Sequence, residues 1–227
     1  MTDILLDIYR KLLDHFGHLD WWPGDTAFEI IVGAILTQNT AWSNVERAIS
    51  NLKDARALEP ERMLTLQTGQ LAKLIKPSGY YNQKAGRLKS ICRYLIDRHE
   101  ADFDEMAGRP TGTLREELLA INGIGPETAD SILLYALEHP VFVVDAYTKR
   151  ALGRIGLSGG KNSYQEIQKL FMDNLPEDTA LFNDYHAQWV ALGKYHCKTK
   201  PVCKGCPLRE ICRYAESYRL QNPPVPQ

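Results

Sequence analysis

The feature that most constrains the fold of this chain is the stretch from Leu114 to Asp145, where two helical patterns flank a four-residue turn. Apolar residues recur at helical spacing on both sides of the turn, at Leu114, Leu118 and Ile121 before it and at Ala129, Ile132, Leu133 and Ala136 after it. The turn, residues 122–125, is too short to hold structure of its own. The pattern predicts a helical hairpin over residues 114–137.

The hairpin turn contains two glycines, Gly123 and Gly125. Both permit a positive φ, which brings backbone N–H groups to the surface. Those groups would lie at the N-terminus of the second helix, where an anion such as a phosphate binds well. An ordinary hairpin with a glycine turn has the same pattern. A lone Asp145, placed 18 positions after Glu127 and behind an apolar run, favours the phosphate-binding interpretation.

The rest of the chain is helical in pattern, and no segment alternates like a strand. With 227 residues, it is long enough for one large or two small domains. The sequence predicts an all-α fold of about ten helices with a loop-rich C-terminus. Local signals mark several helix ends, namely a stop near Gly17, a start at Pro60, a capping box at Ser163 and Glu166, and a cap at Asp178.

Composition excludes several classes of protein. The net charge is −1, so any nucleic-acid contact must come from local clusters of Lys and Arg. No apolar run approaches the roughly 20 residues that cross a bilayer. The N-terminus does not resemble a signal peptide, because Asp3, Asp7 and Arg10 interrupt its apolar residues. We expect a cytoplasmic protein that works as a monomer, without a membrane.

Four of the five cysteines, Cys197, Cys203, Cys206 and Cys212, are spaced C-x5-C-x2-C-x5-C. Disulfides are rare in a cytoplasmic protein, so four clustered thiols indicate a metal site. Zinc and an iron–sulfur cluster both accept four thiolates. Structural zinc usually takes two C-x2-C pairs, and this chain has one. The remaining Cys92 lies on an apolar helix face and is predicted to be a core residue.

The hairpin with its following aspartate resembles the helix-hairpin-helix superfamily of DNA glycosylases. Gly123, Gly125, Pro126 and Asp145 stand at the matching positions. The resemblance implies that the hairpin amides bind a phosphate of double-stranded DNA carrying a damaged base. It also implies a possible Na+ or K+ ion on the hairpin carbonyls. The aspartate is expected to serve the chemistry of the glycosidic bond.

The resemblance also implies a fold of two helical domains with a cleft between them. One domain would be a helical barrel over residues 26–144 that contains the hairpin. The other would combine residues 1–25 with 145–215, and residues 216–227 would form a flexible tail.

The cysteine loop resembles the 4Fe-4S loop of endonuclease III and its relatives. We expect a structural cluster over residues 197–212, because all four ligands come from the protein. Lys198, Lys200 and Lys204 lie around it and would meet DNA phosphates. A merely solvated basic loop is the alternative.

Glu127 distinguishes this chain from the bifunctional endonuclease III enzymes, which have a lysine at the matching position. That lysine forms a Schiff base with the sugar, and a carboxylate cannot. The chain is therefore expected to be monofunctional. Asp145 precedes a predicted helix and fits an N-cap as well as a catalytic carboxylate; the two roles are compatible.

Within the superfamily, four segments resemble the 3-methyladenine DNA glycosylase branch: Trp-Trp-Pro at 21–23, GAILTQNTAW at 33–42, PSGYYNQKAGRL at 77–88 and GIGPETAD at 123–130. The residues of the branch that hold the flipped base match Trp21, Trp22, Pro23, Trp42 and Glu127. Aromatic rings suit an alkylated purine because such a base is cationic. We expect the base to stack between Trp42 and either Trp21 or Trp22. One departure is that the well-known alkyladenine member of the branch lacks the four-cysteine cluster.

Gln38 and Tyr80 match superfamily positions that enter the DNA stack when a base is flipped out, although Tyr80 fits a packing role equally well. Two other functions stay open. One is an endonuclease III-like glycosylase or lyase for another damaged or mismatched base, using a lysine elsewhere. The other is a non-catalytic protein that binds damaged DNA.

Overall fold

The computed structural model describes residues 1–19, 21–159 and 162–221. Over these residues the chain forms thirteen α-helices and no β-strand. The prediction of an all-α fold is confirmed. The helix count exceeds the predicted ten because several helices are too short to show a full apolar period.

The chain divides into two compact units. The middle unit is Trp22–His139, and the terminal unit combines Met1–Trp21 with the described residues of Pro140–Gln227. These limits differ by a few residues from the predicted domain limits at 26 and 144.

The middle unit is built around α2, which is apolar on nearly all sides, as its sequence predicted. Eight of its ten residues are buried, and the Thr26 side chain caps its first turn by accepting from the Glu29 N–H. The helices of this unit are α2 (Ala27–Leu36), α3 (Trp42–Asp54), α4 (Pro60–Thr65), α5 (Thr68–Leu74), α6 (Tyr81–His99), α7 (Phe103–Ala107), α8 (Thr111–Leu119) and α9 (Pro126–Ser131). A 3₁₀ turn at Lys76–Ser78 precedes α6.

The predicted hairpin is formed by α8 and α9, but its second helix is α-helical only as far as Ser131. After Ser131 the backbone continues as a π-helical turn, Ile132–Ala136. Residues 132–135 are all buried. This segment is therefore buried on all sides, whereas the sequence predicted a single buried face. A π-turn widens the helix locally and redirects its side chains.

The terminal unit packs around α12, which is lined with aromatic residues. Phe142 stacks on Phe171 with ring centroids 3.8 Å apart, and Tyr185 stacks on Trp189 at 5.6 Å. The predicted caps at Ser163 and Asp178 are confirmed. The helices of this unit are α1 (Thr2–Phe16), α10 (Ala146–Ile155), α11 (Tyr164–Met172), α12 (Thr179–Tyr195) and α13 (Arg213–Gln221).

Part of the predicted tail over 216–227 is helical. Residues up to 221 belong to α13, and residues 222–227 lie outside the described part of the chain. None of the helices in the described ranges is both long and apolar enough to span a membrane.

Candidate functional site

Asp145 is the N-cap of α10, as its position before a helical segment predicted. Its Oδ1 atom accepts hydrogen bonds from the Thr148 N–H at 2.7 Å and from the Thr148 hydroxyl at 2.8 Å. The residue is only 9% exposed. Two donors and close packing therefore hold the carboxylate in one orientation.

His186 of α12 faces the other oxygen of Asp145, a neighbour that the sequence did not reveal. Its Nε2 atom lies 3.8 Å from Asp145 Oδ2. Burial lowers the pKa of His186, against a smaller opposing effect of Asp145. A neutral imidazole does not cancel the negative charge of the carboxylate. That charge remains able to stabilise a cation that develops beside it.

The two glycines of the hairpin turn have different backbone conformations. Gly123 has φ 89°, and a Cβ there would lie 2.4 Å from Arg87 Nε. Gly125 has φ −96° and ψ 176°, which any residue adopts. Gly123 therefore uses the positive φ that glycine permits and Gly125 does not, because the turn needs one left-handed residue before α9.

Gln38 binds the hairpin turn through its side-chain amide. Its Nε2 donates to the Gly123 carbonyl at 3.1 Å and to the Thr128 hydroxyl at 2.9 Å. The Arg87 guanidinium donates to Gln38 Oε1. The loop after α2, the hairpin and α6 are thus joined at one side chain. Its predicted entry into the DNA stack stays a prediction.

Tyr80 has the exposure that a residue entering a DNA stack needs. It is 65% exposed and lies just before α6. Its φ of 45° is left-handed, and Gly79 before it has φ 68°. A non-glycine residue in this region is strained, so the surrounding structure must hold this turn in place.

Trp22 and Trp42 form an aromatic group with a third ring, Tyr135, which the sequence did not indicate. The Trp22 ring lies edge-on to Trp42 at 5.3 Å and 88°, and 5.2 Å from Tyr135. A Cβ at Gly33 would lie only 3.1 Å from Trp22 Nε1, so the lack of a side chain at Gly33 leaves room for the Trp22 ring. Perpendicular rings in contact cannot sandwich a flat base. In this arrangement the two rings do not form a sandwich, and the expected stacking of the base between Trp42 and Trp21 or Trp22 stays a prediction.

The other three residues predicted for the base pocket differ from one another in their surroundings. Trp21 belongs to the terminal unit, where the Lys194 ammonium lies 5.4 Å from its ring centroid. Pro23 is exposed. Glu127 is exposed in the first turn of α9, where the helix dipole favours a carboxylate.

The four clustered cysteines line a single cavity. Burial first, and then the neighbouring thiols, raise the pKa of Cys206 to about 11 and raise the pKa of Cys203. Across the described ranges, no three His, Cys, Asp or Glu side chains come together closely enough to bind one metal ion. The four thiols line one cavity, and four thiolates are a donor set that both a zinc ion and a 4Fe-4S cluster accept. Cys92 is buried in the core, as predicted.

Two arginines of α10 hold the cysteine loop. Arg154 donates to Cys197 Sγ at 3.3 Å and to the carbonyls of Lys198 and Thr199 at 2.6 and 3.0 Å. Arg150 donates to the Cys197 carbonyl at 2.7 Å. The loop side chains predicted to meet phosphates are all exposed, namely Lys198, Lys200 and Lys204.

Comparison with known proteins gives the family. The family described as "HhH-GPD superfamily base excision DNA repair protein" matches residues 32–177. The chain therefore belongs to this helix-hairpin-helix superfamily of DNA glycosylases, and it is a DNA glycosylase of base excision repair.

Three known proteins are similar to this chain. A protein of Methanocaldococcus jannaschii named as a DNA repair glycosylase is 48% identical over 92% of this chain and 96% of its own length. Endonuclease III in a complex with DNA has a similar fold, with a TM-score of 0.84 at 23% identity over 98% of this chain and 99% of that one. The H. pylori 3-methyladenine DNA glycosylase bound to 1,N6-ethenoadenine has a TM-score of 0.71 at 30% identity, over 85% and 96% of the two chains.

Proposed function

We propose that this glycosylase is monofunctional, flips a damaged base out of double-stranded DNA and hydrolyses its N-glycosidic bond. Its preferred bases are alkylated purines such as 3-methyladenine. The observation that carries the proposal is the held carboxylate of Asp145, whose Oδ1 accepts two hydrogen bonds from Thr148.

In the proposed reaction the bond between the base and C1′ of the deoxyribose breaks, and the base leaves with the bonding electrons. Positive charge then develops on the sugar, and Asp145 stabilises it or orients the attacking water. Water adds to C1′ and loses a proton, which leaves an abasic site. An N-alkylated purine carries a positive charge already, so it departs without a general acid.

Lyase activity would need an amine, and Glu127 supplies a carboxylate at the relevant place. The pKa of Lys84 is lowered, as a nucleophilic lysine requires. Yet the residue is 1% exposed, and its ammonium donates to two carbonyls. We therefore infer that Lys84 does not replace the missing lysine.

The aromatic residues support the choice of substrate. Trp21, Trp22, Pro23 and Trp42, together with Glu127, are proposed to contact the flipped base. Each electron-rich face contributes about 0.5–2 kcal/mol to binding a cationic ring. The perpendicular Trp22 and Trp42 rings offer faces singly and not as a pair. The 30% identity to a 3-methyladenine DNA glycosylase supports the same substrate class.

Contacts to undamaged parts of the DNA complete the proposal. The turn amides at Gly123 and Gly125 bind a phosphate, with Na+ or K+ on the turn carbonyls. Lys198, Lys200 and Lys204 bind further phosphates, and Gln38 and Tyr80 enter the stack. The enzyme acts as a monomer.

We also propose that the cysteine loop holds a 4Fe-4S cluster through Cys197, Cys203, Cys206 and Cys212. All four protein ligands are supplied, so the cluster's role is to fold the loop and present its lysines. The purified protein should be yellow-brown. A colourless protein that holds one zinc ion would contradict this assignment.

The test of function is excision from duplexes that each carry one defined lesion, together with methylated genomic DNA as the source of 3-methyladenine. We expect release of methylated purines and an intact abasic site, with no covalent adduct trapped by borohydride. Asp145→Asn should lose about 10²-fold or more in rate. Trp42→Ala should reduce excision more than binding of undamaged DNA.

Three outcomes would contradict parts of the proposal. Efficient borohydride trapping would show a lyase, and efficient excision of neutral oxidised pyrimidines with no action on methylated purines would refute the substrate class. Full activity in Asp145→Asn would remove the catalytic assignment.

A further inference from the structure

Lys84 is a buried cation in the first turn of α6. It is 1% exposed, and a buried ammonium must be compensated by hydrogen bonds. Its Nζ donates to the Leu36 carbonyl at 2.9 Å and to the Ser78 carbonyl at 2.7 Å. Burial, with a contribution from Arg87, lowers the pKa of Lys84 to about 8. The ammonium form therefore still predominates at neutral pH.

The two acceptor carbonyls lie in different segments of the middle unit. Leu36 is the last residue of α2, two positions before Gln38. Ser78 ends the 3₁₀ turn, two positions before Tyr80. One ammonium thus joins the backbones of the two segments that carry Gln38 and Tyr80.

The Tyr80 turn needs this support. Gly79 and Tyr80 are consecutive left-handed residues with φ 68° and 45°. A strained, exposed turn keeps its conformation only when its surroundings determine it. The bond from Lys84 to the Ser78 carbonyl fixes the backbone immediately before the turn.

We propose that Lys84 is a positioning residue that sets the Gln38 and Tyr80 segments relative to each other, so that both side chains enter the DNA stack together. The inference rests on the proposed function, because it uses the entry of Gln38 and Tyr80 into the duplex. Lys84 itself touches neither DNA nor the reacting atoms.

The chain offers a matched control in Lys89, on the same helix. Lys89 is 9% exposed, and its Nζ also donates to two carbonyls, those of Leu64 and Leu66. Leu64 lies in the last turn of α4 and Leu66 directly follows this helix, so neither carbonyl adjoins Gln38 or Tyr80. Loss of either lysine removes a buried ammonium, but only Lys84 joins the two DNA-entering segments.

The experiment uses the full-length holoprotein and a duplex with one tetrahydrofuran abasic analogue opposite 2-aminopurine. Affinity for this duplex is measured relative to the undamaged duplex, along with the 2-aminopurine fluorescence change on binding. Lys84→Met should lower the preference for the analogue about 10-fold and remove most of the fluorescence change, because a misplacement of about 1 Å is enough for such losses. Tyr80→Ala should do the same, and Lys89→Met should stay within about 2-fold of wild type.

Wild-type behaviour of a folded Lys84→Met variant, or an equal loss in Lys89→Met, would overturn the positioning role. If Lys84→Met does not fold, Lys84→Gln keeps an N–H donor group without the charge, and the same comparison with Lys89→Gln decides the question. A wild-type protein with no preference for the analogue would instead refute the proposed function, and the positioning role with it.

Discussion

The two glycines of the hairpin turn show that the residue type alone does not determine the backbone conformation. Glycine permits a positive φ but does not impose one. Gly123 uses that freedom at φ 89°, whereas Gly125 lies at φ −96°. The Arg87 side chain also occupies the space beside Gly123, while a Cβ at Gly125 would meet nothing within 4 Å. The two positions should therefore respond differently to the same substitution.

Gly123→Ala should lower the free energy of unfolding by about 1–3 kcal/mol, from left-handed strain and from displacement of Arg87. Displacing Arg87 should also remove one of the three hydrogen bonds that hold Gln38 and weaken binding to abasic-site DNA. Gly125→Ala is the control and should change stability by less than about 0.5 kcal/mol. Urea unfolding and DNA titration measure both effects. Equal losses in the two variants would show that the turn needs both glycines for another reason.

At the scale of elements, α10 links the candidate catalytic residue to the cysteine loop. Asp145 caps its N-terminus, while Arg150 in its middle and Arg154 in its last turn hold the loop. Ten residues of helix place the two ends about 15 Å apart. A rigid helix of this kind lets the loop support the element that carries Asp145 without taking part in the chemistry.

Replacing Arg154 by Lys should make the proposed cluster less stable. A single ammonium cannot reproduce bonds to one sulfur and two carbonyls from a planar fork, and such supporting contacts are worth about 10-fold or more in retention of a metal centre. The visible absorbance should therefore decay about 10-fold faster in air. Arg150→Lys, which loses one bond to a carbonyl, should decay at a rate between those of wild type and Arg154→Lys. An unchanged rate of decay in Arg154→Lys would show that Arg154 does not stabilise the proposed cluster.

Features that depend on neighbouring residues were predictable from the sequence, and features that depend on distant contacts were not. The caps at Asp145, Ser163 and Asp178 are confirmed because a capping side chain bonds to the next turn of its own helix. The roles of Lys84 and Arg87 were not predictable from the sequence, since each bonds to a residue 48 or 49 positions away, Leu36 and Gln38 respectively. Tyr135, which joins the aromatic group, lies in the π-turn, and the burial of this segment is set by packing.

On the scale of the whole molecule, each unit contains one buried histidine whose pKa is lowered by burial. His139 belongs to the middle unit and is 7% exposed, while His186 belongs to the terminal unit and is 4% exposed. Both pKa values lie below the ordinary value of 6.5. Each unit thus contains a group that resists protonation only while the unit is folded.

The sign of the pH dependence follows from this. Below about pH 6.5 the unfolded chain takes up protons on these histidines, while the folded chain takes them up only at lower pH, so acidification favours unfolding. Each histidine should reduce the free energy of unfolding by up to about 1.4 kcal/mol per pH unit between its ordinary and lowered pKa values. His139→Asn should remove its own share of this slope. Urea unfolding at several values between about pH 7 and 5, where most carboxylates stay ionised, measures the slope. Stability that rises on acidification through this range, with no change of slope in His139→Asn, would contradict the lowered pKa of His139.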